Sequence, residues 1–378
     1  MADTFSYWEK TSFLSGFDVL IIGSGIVGLS AGMHLKKKRP ELNIGILESG
    51  FIPAGASTKN AGFACFGSIS ELLEELKTGT ENEVLSLIEM RWRGLEKLRK
   101  NLGDEALSFK NYGGFELFKE TETEASEHCI NNIPYFNQLL KNIIGKPDIY
   151  AVNNAKIAEF GLAGINNIIC NKYEAQIDTG KMMRAMISKV QGLGVLILNN
   201  CRVNKLEQDT SGQILHTNQG IIRSNNVIVA TNAYGKELIP ELDIVPGRGQ
   251  VLITEPVKDL KIMGTFHYNK GFTYFRNIDD RILLGGFRDL DFQTEETLKP
   301  GTTELIQNSL EELLHNTILP GRKIKIEQRW SGVMGFGKEL KPIISGISPG
   351  LYCAVRCNGM GVAMGSLSGE QVADLVQL

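Results

Sequence analysis

The strongest constraint on this chain lies near its start. A six-residue apolar run, Phe17–Ile22 (FDVLII), leads directly into Gly23-Ser24-Gly25-Ile26-Val27-Gly28. A short unbroken apolar run bounded by glycine reads as a strand buried on both faces in a parallel sheet. Ile26 to about Lys38 reads as the following helix, ended by Pro40, and Asn43–Glu48 (NIGILE) reads as the next strand. In this strand–turn–helix–strand setting, G-x-G-x-x-G has a physical meaning. Gly23 permits the tight turn, Gly25 lets backbone approach a pyrophosphate, and Gly28 lets helix and strand pack closely. The helix start offers unpaired N–H groups and partial positive charge to phosphates. Glu48 ends the second strand, 20 residues after Gly28. An acid there suits the ribose 2′-hydroxyl of an adenine dinucleotide and disfavours a 2′-phosphate.

The rest of the chain alternates between two styles. Residues 49–68 are rich in small and hydroxyl side chains without a period, and read as a long functional loop. Helical spacing begins at Val84 and stops at Gly103, Tyr112–Phe118 reads as a strand, and 121–144 as helix broken near Pro134. Asp178–Gln191 reads as a helix capped by Asp178 or Thr179, followed by strands at Val195–Leu198, Val203–Leu206, Gln213–His216, Ile221–Ile222 and Val227–Ala230. After Pro246 come hairpin strands, Gln250–Thr254, Phe272–Arg276 and Arg281–Leu284, then a helix over Thr302–His315. The tail reads as strand Tyr352–Val355, a glycine-rich turn and helix Gly361–Leu378. Alternating α/β segments at the start, middle and end, with helices and hairpins between, predict one discontinuous nucleotide-binding domain and a second domain built from insertions.

Composition removes other classes. With 42% apolar and 22% charged residues, the 378-residue chain is not a disordered one. A net charge of −3 lends nothing to nucleic-acid binding. No apolar run approaches the ~20 residues of a membrane span, and Met1 to Lys10 does not read as a signal peptide. The six cysteines lack metal-site spacing and read as free thiols of a cytoplasmic protein, with no metal.

The fingerprint alone leaves FAD and NAD open. Beyond it, the sequence resembles the FAD-dependent D-amino-acid oxidase and glycine oxidase superfamily, nearest the sarcosine oxidase and gamma-glutamylputrescine oxidase branch. The matches are Gly55-Ala56-Ser57-Thr58-Lys59-Asn60-Ala61-Gly62 after the acid, Asp178-Thr179-Gly180-Lys181, Val227–Tyr234 (VIVATNAY), Arg248-Gly249-Gln250, and Asn358-Gly359-Met360-Gly361-Val362. The resemblance implies a discontinuous Rossmann-like FAD-binding domain (1–78, 151–245 and 323–378). It implies a second, α+β substrate domain on an antiparallel sheet (79–150 and 246–322). FAD, without a covalent link, is expected against Gly23, Gly25, Ile26, Val27, Gly28, Glu48 and Ser49. Ser57, Thr58 and Asn60 would hydrogen-bond its phosphate and ribityl oxygens and Lys59 add charge, Val203 would present its backbone to the adenine, and Ala61, Gly62, Ala230 and Thr231 are further cofactor-binding positions. Arg356 and Asn358, Gly359, Met360, Gly361 and Val362 would face the flavin ring, where a helix N-terminus favours the reduced anion.

The resemblance also implies a reaction: oxidation of a C–N bond by hydride transfer to flavin N5, leaving an imine that water hydrolyses. The flavin carries this chemistry, so no side chain is assigned as catalytic. Electrons would pass to O2 or another acceptor. For substrate, Tyr274 and Arg276 alternate onto one strand face and suit a carboxylate clamp; Trp330 and Arg356 are further candidates, with His267 and Arg288 expected to be structural. One departure matters. Relatives carry an arginine shortly after W-x-G, whereas here Trp330-Ser331-Gly332 is followed by Val333-Met334-Gly335. This leaves a shifted clamp or an amine substrate. Alternatives on the same scaffold are a hydroxy-acid or glycerol-phosphate dehydrogenase, a tRNA-modifying flavoprotein, and a subunit of a hetero-oligomeric amine dehydrogenase. The sequence leaves homo-oligomers open.

Overall fold

A computed structural model describes residues 5–210 and 212–377; Met1–Thr4, Ser211 and the expected last helical residue, Leu378, lie outside the described residues. The apolar run Phe17–Ile22 is a central strand of an eight-stranded sheet, paired in parallel with Ile44–Leu47 on one side and Gly220–Val229 on the other. Val19, Leu20 and Ile21 are each fully buried, which is why the run shows no polar alternation. Val19 and Ile21 face helices Ile26–Lys38 and Thr179–Gly192, while Leu20 and Ile22 face the cluster of Leu215, Val227, Val229 and Ile239. The tail strand Leu351–Val355 joins the same sheet in parallel, and helix Gly361–Leu375 packs along helix Ile26–Lys38. Thus both ends of the chain and its middle build one layer, as the pattern predicts.

The second sheet also has eight strands, in the order Ile326–Phe336, Val245–Thr254, Arg281–Gly286, Thr273–Ile278, Thr265–Tyr268, Gly114–Lys119, Ile165–Asn171 and Tyr150–Val152. Its pairs are antiparallel except Thr265–Tyr268 with Gly114–Lys119. One face carries stacked phenylalanines, with Phe266 and Phe275 rings 4.4 Å apart, covered by helix Glu304–Leu313. The alternation of strands turns Tyr274, Arg276 and His267 to the opposite face.

Several expectations shift. Ile165–Asn171 and Ile326–Phe336 pair into the second sheet, although they fall inside 151–245 and 323–378, the segments expected in the FAD-binding domain. Ile326–Phe336 carries Glu, Gln, Arg, Ser and Gly among its apolar residues, so no strand period marks it. The break expected near Pro134 is present: helix Thr123–Asn131 ends and helix Ile133–Ile144 begins, with Pro134 in its first turn as a good N-terminal residue. A helix missed in the sequence, Ile69–Thr78, starts at Ser68 with a capping box to Glu71.

Candidate active site

A cavity of about 890 Å³ joins the carboxyl end of the first sheet to the open face of the second. At one end lie Gly23, Gly25, Ile26 and Val27, at the start of helix Ile26–Lys38. Gly28 is not on the cavity; a Cβ there would run into the Gly23 carbonyl, so it serves packing alone. Glu48 lines this end and is held from both sides. Ser24 donates to one carboxylate oxygen through its N–H (3.1 Å) and hydroxyl (2.7 Å), and the Gly50 N–H donates to the other (2.9 Å). Ser49, Val203, Ala230 and Thr231 complete the wall. The Thr231 hydroxyl is buried without a partner. A buried unpaired hydroxyl facing a cavity is costly unless a ligand meets it.

The loop after the second strand folds back on this end. Ser57 Oγ accepts the Ile26 N–H at 3.0 Å. Ser57, Lys59, Asn60, Ala61 and Gly62 line the cavity. Thr58 does not; its hydroxyl donates to the carbonyls of Pro53 (2.8 Å) and Gly55 (3.2 Å). Asn60 donates to the Ala56 and Ser57 carbonyls, while its oxygen accepts from the Gly62 N–H and Thr179 hydroxyl. The expected role of Thr58 and Asn60 is corrected accordingly: their polar atoms are spent on shaping the loop, and backbone plus Ser57 and Lys59 are left for a ligand.

Two expected substrate residues fasten this loop instead. Trp330 donates through Nε1 to the Lys59 carbonyl at 3.0 Å and does not line the cavity. Arg276 shares a strand face with Tyr274 but is 5% exposed, and its Nη1 donates to the carbonyls of Gly62 (3.1 Å) and Ile177 (2.8 Å). Burial lowers its pKa to about 10, so it remains a cation at neutral pH. A carboxylate clamp on Arg276 is therefore corrected: Nη1 is taken by those two carbonyls, and the residue is buried off the cavity lining. Arg356 is corrected in both its cofactor and substrate roles. It is 3% exposed and binds Asp243 Oδ2 (2.7 Å) and the Lys341 carbonyl (2.8 Å), away from the cavity lining.

Asn358, Gly359, Met360, Gly361 and Val362 line the cavity from the far side. Asn358 ties the turn to the Glu339 and Leu340 carbonyls, and Gly359 takes a φ of +81° that glycine accepts freely. No side chain caps the helix beginning at Gly361, so its first N–H groups are left toward the cavity.

The second sheet supplies the other end. Among the described residues the Tyr274 hydroxyl has no hydrogen-bond partner, and burial pushes this phenol up to about 12. Its ring meets Phe63 edge-on at 5.6 Å, and Phe63 meets His267 at 5.4 Å. Two lining residues expected to be structural, His267 and Arg288, belong here. Arg288 lies over the rings of Phe336 (4.1 Å) and Phe292 (4.8 Å). It follows Gly286 and a left-handed Phe287 (φ +58°), a kink with no sequence period to reveal it.

His267 is buried, with Nε2 2.8 Å from Glu174 and Nδ1 3.5 Å from Glu71. Burial pulls its pKa down, but Glu174 and then Glu71 outweigh this and hold it at about 9. Burial pushes nearby Glu116 up to about 7, against the hydrogen bond from Ser70. Both groups bind protons more tightly when folded. The His267 contribution is complete below 6.5, its ordinary value, and lost as pH rises through about 9; that of Glu116 fades between 4.5 and about 7. Thermal melts should show stability falling by up to about 3 kcal/mol from the His267 window, and His267→Gln should flatten that slope.

A dinucleotide-binding end on the parallel strands of the first sheet thus faces an aromatic end on the second sheet across one cavity. The chain matches the family described as DAO, FAD dependent oxidoreductase, over residues 18–375 and belongs to that family; FAD is its cofactor. It is 26% identical to the glycine oxidase of Geobacillus kaustophilus, across 96% of this chain and 93% of that one. It is 23% identical to the gamma-glutamylputrescine oxidoreductase of Escherichia coli, across 95% and 83%. The crystal structure of Geobacillus kaustophilus glycine oxidase superposes with a TM-score of 0.76, covering 95% of this chain and 94% of that one at 21% identity. Among the described residues no helix is long and apolar enough to cross a membrane, and no group of ligating side chains could hold a metal ion.

Proposed function

We propose that the protein oxidises the C–N bond of an amine or amino acid to an imine, which water then hydrolyses. When bound, FAD supplies the two-electron acceptor for this chemistry. The observation that carries the reading is the single cavity joining the FAD end to Tyr274 and the second sheet. The chain's residues then bind, orient and exclude water. Among the described residues every lining carboxylate has partners: Glu48 takes Ser24 and Gly50, Glu71 takes Ser68 and His267, Glu74 takes Lys77 and Lys270, Glu75 takes Arg91 and Glu237 takes Arg202. That arrangement suits a substrate that enters as a neutral amine and loses its C–H hydrogen to the cofactor. Glycine oxidase and gamma-glutamylputrescine oxidoreductase, the relatives above, are named for nitrogen-bearing substrates. Non-covalent attachment of FAD is supported by the thiols. Cys353 is buried within its strand, and burial raises the pKa of the cavity thiols Cys65, Cys201 and Cys357, the last up to about 12.

The test is anaerobic bleaching of the FAD-loaded protein by a panel of amines, D- and L-amino acids and N-methyl amino acids, with 2-hydroxy acids and glycerol phosphate alongside. Nitrogen-bearing compounds should bleach the flavin band. Bleaching by the oxygen compounds alone would replace this reading with hydroxy-acid or glycerol-phosphate oxidation.

A further inference from the structure

We propose that Arg248 and Gln250, through the buried carboxylate of Glu295, are positioning residues that fix the second-sheet end of the cavity. The effect on substrate rests on the amine or amino-acid reading above and goes beyond it to what holds that end in place. Arg248-Gly249-Gln250 lies on strand Val245–Thr254, and alternation sends neighbouring side chains to opposite faces. Gly249 and Val251 line the cavity. Arg248 and Gln250 do not. They face the side covered by helix Glu304–Leu313, where Gln250 Oε1 accepts from Gln307 Nε2 at 3.1 Å.

Both side chains close on Glu295. Arg248 donates to its two oxygens through Nε and Nη2, each at 2.8 Å, and Gln250 Nε2 donates at 2.8 Å. The Thr303 hydroxyl is a further donor at 3.3 Å. Phe287 packs half-buried on the phenylalanine core. Among the described residues from Arg288 to Leu305, Glu295 alone is buried. With no buried apolar side chain there, the segment is held chiefly by what its one buried carboxylate meets. Half-buried hydrogen bonds from Asn269 to Asp289 and from Tyr234 to the Leu298 carbonyl add to this hold.

The same segment carries part of the cavity wall. It leaves the kink after Gly286, passes Arg288 on the cavity face of strand Val245–Thr254 and reaches Glu295 on the other face. On the cavity face the Phe336 ring covers Gly247, where an added Cβ would lie 2.5 Å from that ring and 3.2 Å from Arg288 Nη1. Arg288 lies over the Phe336 ring at 4.1 Å, and over Phe292, in the same helical turn as Glu295, at 4.8 Å. Phe292 also meets the lining residue Phe272 edge-on at 5.7 Å. The segment thus wraps the strand, pinned at Glu295 on one face and bearing on Phe336 and Phe272 on the other. Moving the pin moves that wall, and a displacement of about 1 Å is enough to cost binding.

The test replaces the ion pair by apolar side chains in the FAD-loaded protein. Removing one partner strands the other, whereas replacing both costs little stability. Gln250 Nε2 keeps the Thr303 hydroxyl as acceptor at 2.9 Å. Arg248→Met/Glu295→Met should therefore keep FAD content and melting temperature near wild type. Amide hydrogen exchange over residues 288–303 should quicken at least about 10-fold, with strand Thr273–Ile278 unchanged. KM for the compound of the amine, amino-acid and hydroxy-acid panel that bleaches wild type most should rise about 10-fold or more, with kcat within about threefold. Arg248→Lys, which keeps the charge but not the planar fork, should fall between. Should the double variant fail to fold, Arg248→Lys decides alone. Wild-type exchange over 288–303, or wild-type KM, in a folded variant overturns the proposal. If a hydroxy acid bleaches best, the same two readouts still decide this proposal while the C–N reading falls; if no compound bleaches, exchange decides alone.

Discussion

Gly25→Val is expected to give a folded, colourless protein. Gly25 sits at φ −73° and ψ −179°, an extended conformation that valine adopts without strain, so the backbone does not forbid the change. The obstacle is space. A Cβ at position 25 would lie 2.9 Å from Ser57 Oγ, the atom that accepts the Ile26 N–H. Valine's branched carbons would displace that hydroxyl and fill the approach to the helix N-terminus, where a pyrophosphate needs bare backbone. FAD affinity should fall by at least about 100-fold, with far-ultraviolet circular dichroism kept. The melting temperature should match wild type stripped of FAD, because only the ligand's contribution is lost. Alanine at this position should lose less. Native FAD affinity in Gly25→Val would remove the pyrophosphate from this turn.

Arg276→Met is expected to destabilise the protein and loosen FAD while leaving substrate KM nearly alone. The change removes the donor shared by the Gly62 and Ile177 carbonyls; Gly62 keeps the Ile177 N–H at 2.8 Å, and the Ile177 carbonyl loses its Arg276 bond. An unpaired buried carbonyl costs about 1–3 kcal/mol, partly offset because a buried cation with an unpartnered Nε is also removed. Gly62 closes the loop that Asn60 and Ser57 shape, so the effect passes to the cofactor. We expect a net loss of about 1–3 kcal/mol and FAD affinity down about 10-fold or more. KM should stay within about threefold in whatever enzyme remains loaded. A substrate clamp would give the opposite split: KM raised strongly, stability and FAD content untouched.

The contrast between these two residues marks what a sequence can carry. Gly25 was readable because the motif, the flanking strand and helix, and Glu48 all demand one local geometry. The alternation that places Tyr274 and Arg276 on one face was readable too, and the strands bear it out. That alternation could not say what each side chain meets. Arg276 ends against carbonyls contributed by residues more than ninety positions away. Arg356 is likewise drawn to Asp243 by a left-handed backbone (φ +64°) that no periodicity announces. Arg288 was passed over because a kink, not a strand, delivers it to the cavity. The apolar core of the first sheet was legible since burial on both faces forces an unbroken apolar run. Ile326–Phe336 was not, because its residues divide between the neighbouring loop, the cavity and solvent.

The account turns on nitrogen leaving the substrate at this cavity. The most direct measurement is a product balance in the anaerobic bleaching experiment: carbonyl compound and free amine or ammonia, counted against FAD reduced. One equivalent of each per flavin is the expected result. Full bleaching with a carbonyl product and no nitrogen released would contradict it.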